Sequence, residues 1–171
     1  MVPIFETPRL ILRQFTELDA PLILDLNSSE DIVKYVHEPL LTTFEEAKHI
    51  ILNIILPQYE NKLGRWAMHL KANNEFIGWC GLKYIKESDE IDLGYRIKKQ
   101  FWGQGYATEA ARETLRYGFE ILNIQLITGH AHIENIASIR VLEKIGMQFD
   151  REGIVDNYTL KTFTMANPLT K

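Results

Sequence analysis

Arg9-Leu10-Ile11-Leu12-Arg13 sets an apolar stretch between charges and predicts a half-buried strand near the start of the chain. Thr16 followed by Asp19 has the spacing of a capping box and predicts a helix through Leu22, Ile23 and Leu26. Thr43 with Glu46 repeats that signal ahead of an apolar-periodic segment from Phe44 to about Tyr59, which Pro57 should end or kink. The period then shortens to two. Arg65 to Leu70 and Phe76 to Tyr84 flank Asn73-Asn74, a pair tolerant of positive φ, and predict a β-hairpin. Lys86 to Asp89 forms the next turn and Glu90 to Ile97 a third strand. A glycine-bearing loop from Lys98 to Gly105 leads to a helix from about Thr108 to Ile121. Gln125 to His132 reads as a strand, Ala137 to Ile145 as a helix, and Phe149 to Ala166 as two closing strands. The order predicts one mixed α/β (α+β) domain over residues 1–171, an antiparallel meander followed by a βαβ-like half.

Composition narrows the function. The chain has 171 residues, 46% of them hydrophobic, which suits one globular core. The longest apolar run, Ile50 to Leu56, is broken by Asn53 and is far shorter than the roughly 20 residues of a membrane span, so no membrane partner is expected. Met1 to Glu6 lacks the features of a secretory signal, and Cys80 is the single cysteine, so a reducing, cytoplasmic setting is expected. A net charge of −4 without a Lys/Arg cluster argues against nucleic acid as the main partner, so none is expected, and is compatible with a cationic substrate. A homodimer is left open.

The most informative segment is Gln100-Phe101-Trp102-Gly103-Gln104-Gly105-Tyr106-Ala107, between a strand and a helix. Free N–H groups and the helix dipole can hold phosphate oxygens there, and glycine lets the backbone approach them. Gly103 and Gly105 could equally do no more than shape a tight turn. A nucleotide-hydrolysing loop would need a Lys after Gly105, where Tyr106 stands. A dinucleotide fold would need Gly or Ala at position 108, which is Thr, and an acidic residue about 20 positions on. The remaining pattern, Gln-x-x-Gly-x-Gly, resembles the pyrophosphate loop of the GNAT superfamily of CoA-dependent N-acetyltransferases. Thr7-Pro8-Arg9-Leu10-Ile11-Leu12-Arg13 with Asp19 is similar to the opening of the RimJ/RimL branch of that superfamily. So are Asp92-Leu93-Gly94-Tyr95 and the block from Asn135 to Met147, and together these segments cover nearly the whole chain in order.

The resemblance implies a mostly antiparallel sheet flanked by helices, with a splayed strand pair at the CoA site, and acetyl-CoA as donor to a primary amine. It places backbone of Tyr95, Arg96 and Ile97 along the pantetheine arm, with an N–H there facing the thioester oxygen. It places the loop residues Gln100, Gly103, Gln104, Gly105, Tyr106 and Ala107 at the pyrophosphate. Asn135 would contact the cofactor arm, a role compatible with capping the following helix. Tyr95 could instead be a packed strand aromatic. Many members carry a tyrosine acid seven residues after this Asn, but here the position is Leu142. Ser138 is then the candidate proton donor to the leaving sulfur, or an early helix residue with a local hydrogen bond.

A base matters according to the acceptor. A lysine-like amine costs about 4 kcal/mol to deprotonate near neutral pH, an α-amine well under 1 kcal/mol. Asp92 matches the family's acidic position, and Glu90 shares its strand face; both could be solvated charges. His130 and His132 share a strand face without a third ligand at useful spacing, so no metal is expected. Cys80 has no neighbouring His to activate it. An acyl-CoA-binding sensor or subunit that lacks catalysis is the alternative, kept open by Leu142.

Overall fold

The alternating segments pair into a single eight-stranded sheet, seen in a computed structural model that describes residues 2–36 and 38–170. Met1, His37 and Lys171 lie outside the described residues. The strands are β1 (Pro3–Glu6), β2 (Leu10–Gln14), β3 (Gly64–Leu70), β4 (Phe76–Ile85), β5 (Glu90–Ile97), β6 (Leu126–His132), β7 (Gln148–Val155) and β8 (Tyr158–Ala166). Their spatial order is β1-β2-β3-β4-β5-β6-β8-β7. All neighbours are antiparallel except β5 and β6, which run parallel.

That exception shapes the cleft. β5 and β6 pair only at Asp92 and Thr128, and beyond this point the strands diverge. The expected splayed pair in a mostly antiparallel sheet is thus present. Helices α1 (Ala20–Asn27), α2 (Glu30–Val33) and α3 (Phe44–Ile50) belong to one side, α4 (Tyr106–Glu120) and α5 (Ile136–Lys144) to the other. Because side chains alternate along β5, Leu93 and Ile97 join Ala110, Ala111 and Leu115 of α4 in one core cluster. Across the sheet, Ala67, Phe76 and Trp79 pack with Ile23, Leu26, Ala47 and Ile51. Burying both sheet faces beneath helices removes water from two apolar layers at once, the main favourable contribution to folding.

Local signals explain most boundaries. The Asp19 carboxylate accepts from the Thr16 N–H at 2.7 Å and takes Arg13 in a two-pronged pair, opening a short 3₁₀ turn (Glu17–Asp19) before α1. Glu46 likewise closes the Thr43 box ahead of α3. The single helix expected from Phe44 to Tyr59 is instead three pieces: α3, a π segment (Ile51–Ile55) and a 3₁₀ segment (Leu56–Asn61). Pro57 lacks an N–H and its ring crowds the carbonyl four residues back, so the regular ladder widens before it and tightens after it. Asn74 takes φ of 59° at the hairpin turn, as the Asn pair implied. The segments β1 and α2 are additions to the sequence reading.

Candidate active site

Between strand β5 and helix α4, residues Lys99–Phe101 form a single 3₁₀ turn, and Gly103 and Gly105 follow at φ of 72° and 82°. These left-handed conformations disfavour any side chain with a Cβ. Gly105 is the N-cap of α4, and no side chain caps the helix. Its first N–H groups and dipole therefore face outward without an internal acceptor. A Cβ added to Gly103 would meet nothing within 4 Å, so the loop borders open space. An uncapped helix end beside a bare glycine backbone fits the pyrophosphate of CoA.

The loop is braced from the turn between β1 and β2. Arg9 pairs with Glu109 of α4 at 2.6 Å, donates to the Gln104 carbonyl at 3.0 Å and lies 4.3 Å from the Tyr106 ring centre. Thr7 also donates to Glu109, at 2.6 Å. Gln104 turns its amide back to the Gln100 carbonyl at 3.0 Å. Neither Gln100 nor Gln104 lines the cleft; both side chains lie on the outside of the loop.

The cleft itself encloses about 810 Å³ and runs from the loop, through the gap between β5 and β6, to the opposite face of the sheet. It brings together Asp92, Tyr95, Arg96, Ile97, Gly103, Gly105, Tyr106, Ala107, Asn135 and Ser138. The Ile97 carbonyl accepts from the Trp102 indole at 2.7 Å, which ties the strand end to the loop. Asn135 caps α5, its side-chain oxygen accepting from the Ser138 N–H at 3.2 Å, while its amide NH2 has no protein acceptor among the described residues and the residue lines the cleft. Tyr95 reaches across the gap, its hydroxyl 3.1 Å from Ser138 Oγ. Burial raises the Tyr95 phenol, keeping its proton in place. Leu142 is buried in the core behind this pair.

The two acidic candidates separate. Glu90 is not part of the cleft wall: Arg151 holds it at 2.6 Å and Ser88 donates to it at 2.8 Å, which keep its carboxylate low against the opposing effect of burial. Asp92 lines the cleft, its side chain 20% exposed and its shielded Oδ1 without a hydrogen-bond partner among the described residues. Burial pushes Asp92 up to about 8, with the Glu90 charge adding and Lys83 opposing. His130 Nε2 stands between them, 3.7 Å from Asp92 and 3.5 Å from Glu90, while burial lowers the ring's affinity for a proton. His130 and His132 join no group of metal-binding residues among those described. Cys80 is buried against Thr114 with its thiol pushed up to about 12, which removes it as a nucleophile.

Sequence reasoning missed the bracing role of Arg9, and a cluster of Glu38, Arg65, Arg96 and Trp79 that walls the far end of the cleft. The Thr-Pro-Arg segment carried a signal for Arg9; nothing local marked the cluster.

Comparison with known proteins agrees with this geometry. Residues 9–148 match the family model described as an acetyltransferase (GNAT) domain. An uncharacterized N-acetyltransferase of Bacillus subtilis, YoaA, is 31% identical over 165 residues, 96% of this chain and 92% of that protein. The spermidine N(1)-acetyltransferase of Vibrio cholerae is 28% identical over 85% of this chain and 81% of its own. The crystal structure of a GNAT-family acetyltransferase from Bacillus anthracis superposes with a TM-score of 0.82 at 25% identity, covering 95% of this chain and 97% of the other. No helix among the described residues is long and apolar enough to cross a membrane. With a family match spanning most of its length and a 31% identical relative over nearly all of it, the chain belongs to the GNAT acetyltransferases and is an acetyl-CoA-dependent N-acetyltransferase.

Proposed function

We propose that the protein moves an acetyl group from acetyl-CoA directly to a primary amine, with Asp92 as base on one side of the splayed strands and Ser138, backed by Tyr95, as proton donor on the other. The observation that carries this reading is the position of Asp92: a shielded carboxylate with one oxygen that has no hydrogen-bond partner among the described residues, at the point where β5 and β6 part. Asp92 and Tyr95 are three apart on one strand, so their side chains leave opposite faces. Base and acid are thereby kept apart by the sheet itself.

Acetyl-CoA supplies an activated thioester; the protein's residues hold it and manage protons. The N–H groups of the loop from Gly103 to Ala107 and the start of α4 would receive the pyrophosphate. The backbone of Tyr95 to Ile97 and the Asn135 amide would line the pantetheine arm. Asp92 takes the proton that the amine gives up as its nitrogen bonds the acetyl carbon. Ser138 gives a proton to the sulfur as the carbon–sulfur bond breaks, and the Tyr95 hydroxyl can replace it. A backbone N–H facing the acetyl oxygen stabilises the charge that develops there, a contribution of roughly 3 kcal/mol in acyl transfer.

Raised basicity makes Asp92 a better proton acceptor than an ordinary carboxylate, since a base works best when its own pKa lies near the working pH. The opening segment from Thr7 to Arg13, with Asp19, is similar to the RimJ/RimL branch and supports placement near it. The test is the rate profile of the wild type and Asp92→Asn between about pH 6 and 10. For a basic amine the variant should lose most of its rate near neutral pH and recover toward the alkaline end. An undiminished loss at every pH would remove Asp92 as the base.

A further inference from the structure

The acceptor end of the cleft carries more positive charge than the chain as a whole would suggest. Arg65 and Arg96 both lie over Trp79, their guanidinium carbons 4.7 and 5.5 Å from its ring. Both are nearly buried, with side chains 12% and 7% exposed. They share one carboxylate, Glu38, at 3.4 Å from Arg65 and 2.7 Å from Arg96. Arg96 also donates to Asn27 at 2.8 Å and is well satisfied. Arg65 is not: the long Glu38 contact is its single side-chain hydrogen bond among the described residues, although guanidinium carries five donors.

Lys83 adds to this surplus. It sits opposite Asp92 in the register of β4 and β5, on the cleft wall and exposed. Between Asp92 and Arg96 the same strand face holds only Gly94, with Gly81 opposite it, and the Trp79 ring edge lies 3.3 Å from where a Cβ on Gly94 would stand, so backbone and indole together floor the space between the charged groups. Three cations thus face Glu38 and the shielded Asp92. A second ammonium on the acceptor would enter against like charge, whereas an anion would meet donors of Arg65 and Lys83 that lack partners among the described residues.

We infer that the acceptor is an amine that carries its own carboxylate, with Arg65 and Lys83 receiving the carboxylate and the amine turned toward Asp92. This rests on the acetyl-transfer reading above and names its substrate class. The network around Arg96 and Asn27 fixes the wall; Arg65 is the member with capacity left for a ligand.

The test uses matched acceptors with the full chain and acetyl-CoA: free amino acids and dipeptides, their carboxamides, and the amines that remain when the carboxylate is removed. Free acids should have kcat/KM about tenfold or more above their matched amides, the size of one ion-paired contact. Arg65→Gln should reduce the acid-to-amide ratio of kcat/KM to about one, chiefly through the KM of the acids. Should Arg65→Gln fold poorly, Lys83→Met, at an exposed position, should lower the same ratio by a smaller factor. Amides, diamines or polyamines that match or exceed the acids in the wild type would overturn the inference and leave acetyl transfer standing. Absence of thiol release with every amine would overturn acetyl transfer itself, and this inference with it.

Discussion

The Tyr95 hydroxyl lies 3.1 Å from Ser138 Oγ and 3.2 Å from the Ser138 carbonyl oxygen, so a side chain of β5 closes the gap to the first turn of α5. The carbonyl can only accept, and the phenol can donate to it or to Oγ, leaving the serine hydrogen free to turn toward the cleft. Ser138→Ala and Tyr95→Phe should each lower kcat, by about tenfold or more, with CoA affinity nearly unchanged. Because the two act as a unit, the double variant should lose little more than Ser138→Ala alone. Steady-state kinetics with calorimetric CoA titration checks both parts.

Leu142 stands where many family members carry a tyrosine. Its Cδ2 would lie 2.8 Å from a Cβ added to Gly129, so the side chain already fills the space that glycine leaves in β6. Leu142→Tyr should therefore destabilise the fold by about 1–3 kcal/mol from overpacking, with no gain in rate. Denaturant unfolding measures the first effect and thiol release the second.

In the loop before α4, Gly103→Val should weaken CoA binding and also cost roughly 1–2 kcal/mol of stability, because its φ of 72° is unfavourable for a residue with a Cβ. Gly103→Asn tolerates the left-handed region better and should separate the two effects, weakening CoA binding at a smaller cost in stability. Arg9→Ala should also weaken CoA binding without touching the ligand, by freeing the Gln104 carbonyl and Glu109. Calorimetric titration of the three variants beside their melting curves checks this.

Asp92 makes a prediction about stability as well as rate. Its folded pKa, about 8, lies above the ordinary value of 3.8, so the folded form holds a proton that the unfolded chain releases. Its contribution is fully favourable below pH of about 4 and is lost as pH rises toward about 8. Asp92→Asn should therefore gain stability relative to the wild type across that window and keep the gain above it. Unfolding free energies at several pH values test the sign; a variant less stable than the wild type near pH 8 would contradict the shielding of Asp92.

What could be read from the sequence was what is encoded locally. Gly103 and Gly105 mark a backbone geometry that few other residues adopt, and the Asn73-Asn74 turn and the capping boxes are decided within four residues. The same holds for the alternation that put Asp92 on one face of β5. The rest depends on contacts far apart in the chain. Arg9 meets Glu109 across 100 positions, and Glu38 meets Arg96 across 58. Glu90 and Asp92 look alike in sequence, and the contacts of Arg151 and Ser88 with Glu90 distinguish the paired carboxylate from the shielded one. An acidic chain likewise gave no sign that one end of its cleft gathers Arg65, Lys83 and Arg96, since net charge averages over surfaces that the fold keeps apart.

The central claim is that this cleft carries out acetyl transfer, and the most direct measurement follows both products at once. The purified protein is incubated with acetyl-CoA and a panel of primary amines, free thiol is counted, and the acetylated amine is identified by its mass. The account predicts one acetylated amine for each thiol released, with the rate falling in Asp92→Asn near neutral pH. Tight CoA binding with no thiol released on any amine would contradict it, and would identify the protein as an acyl-CoA-binding sensor or subunit.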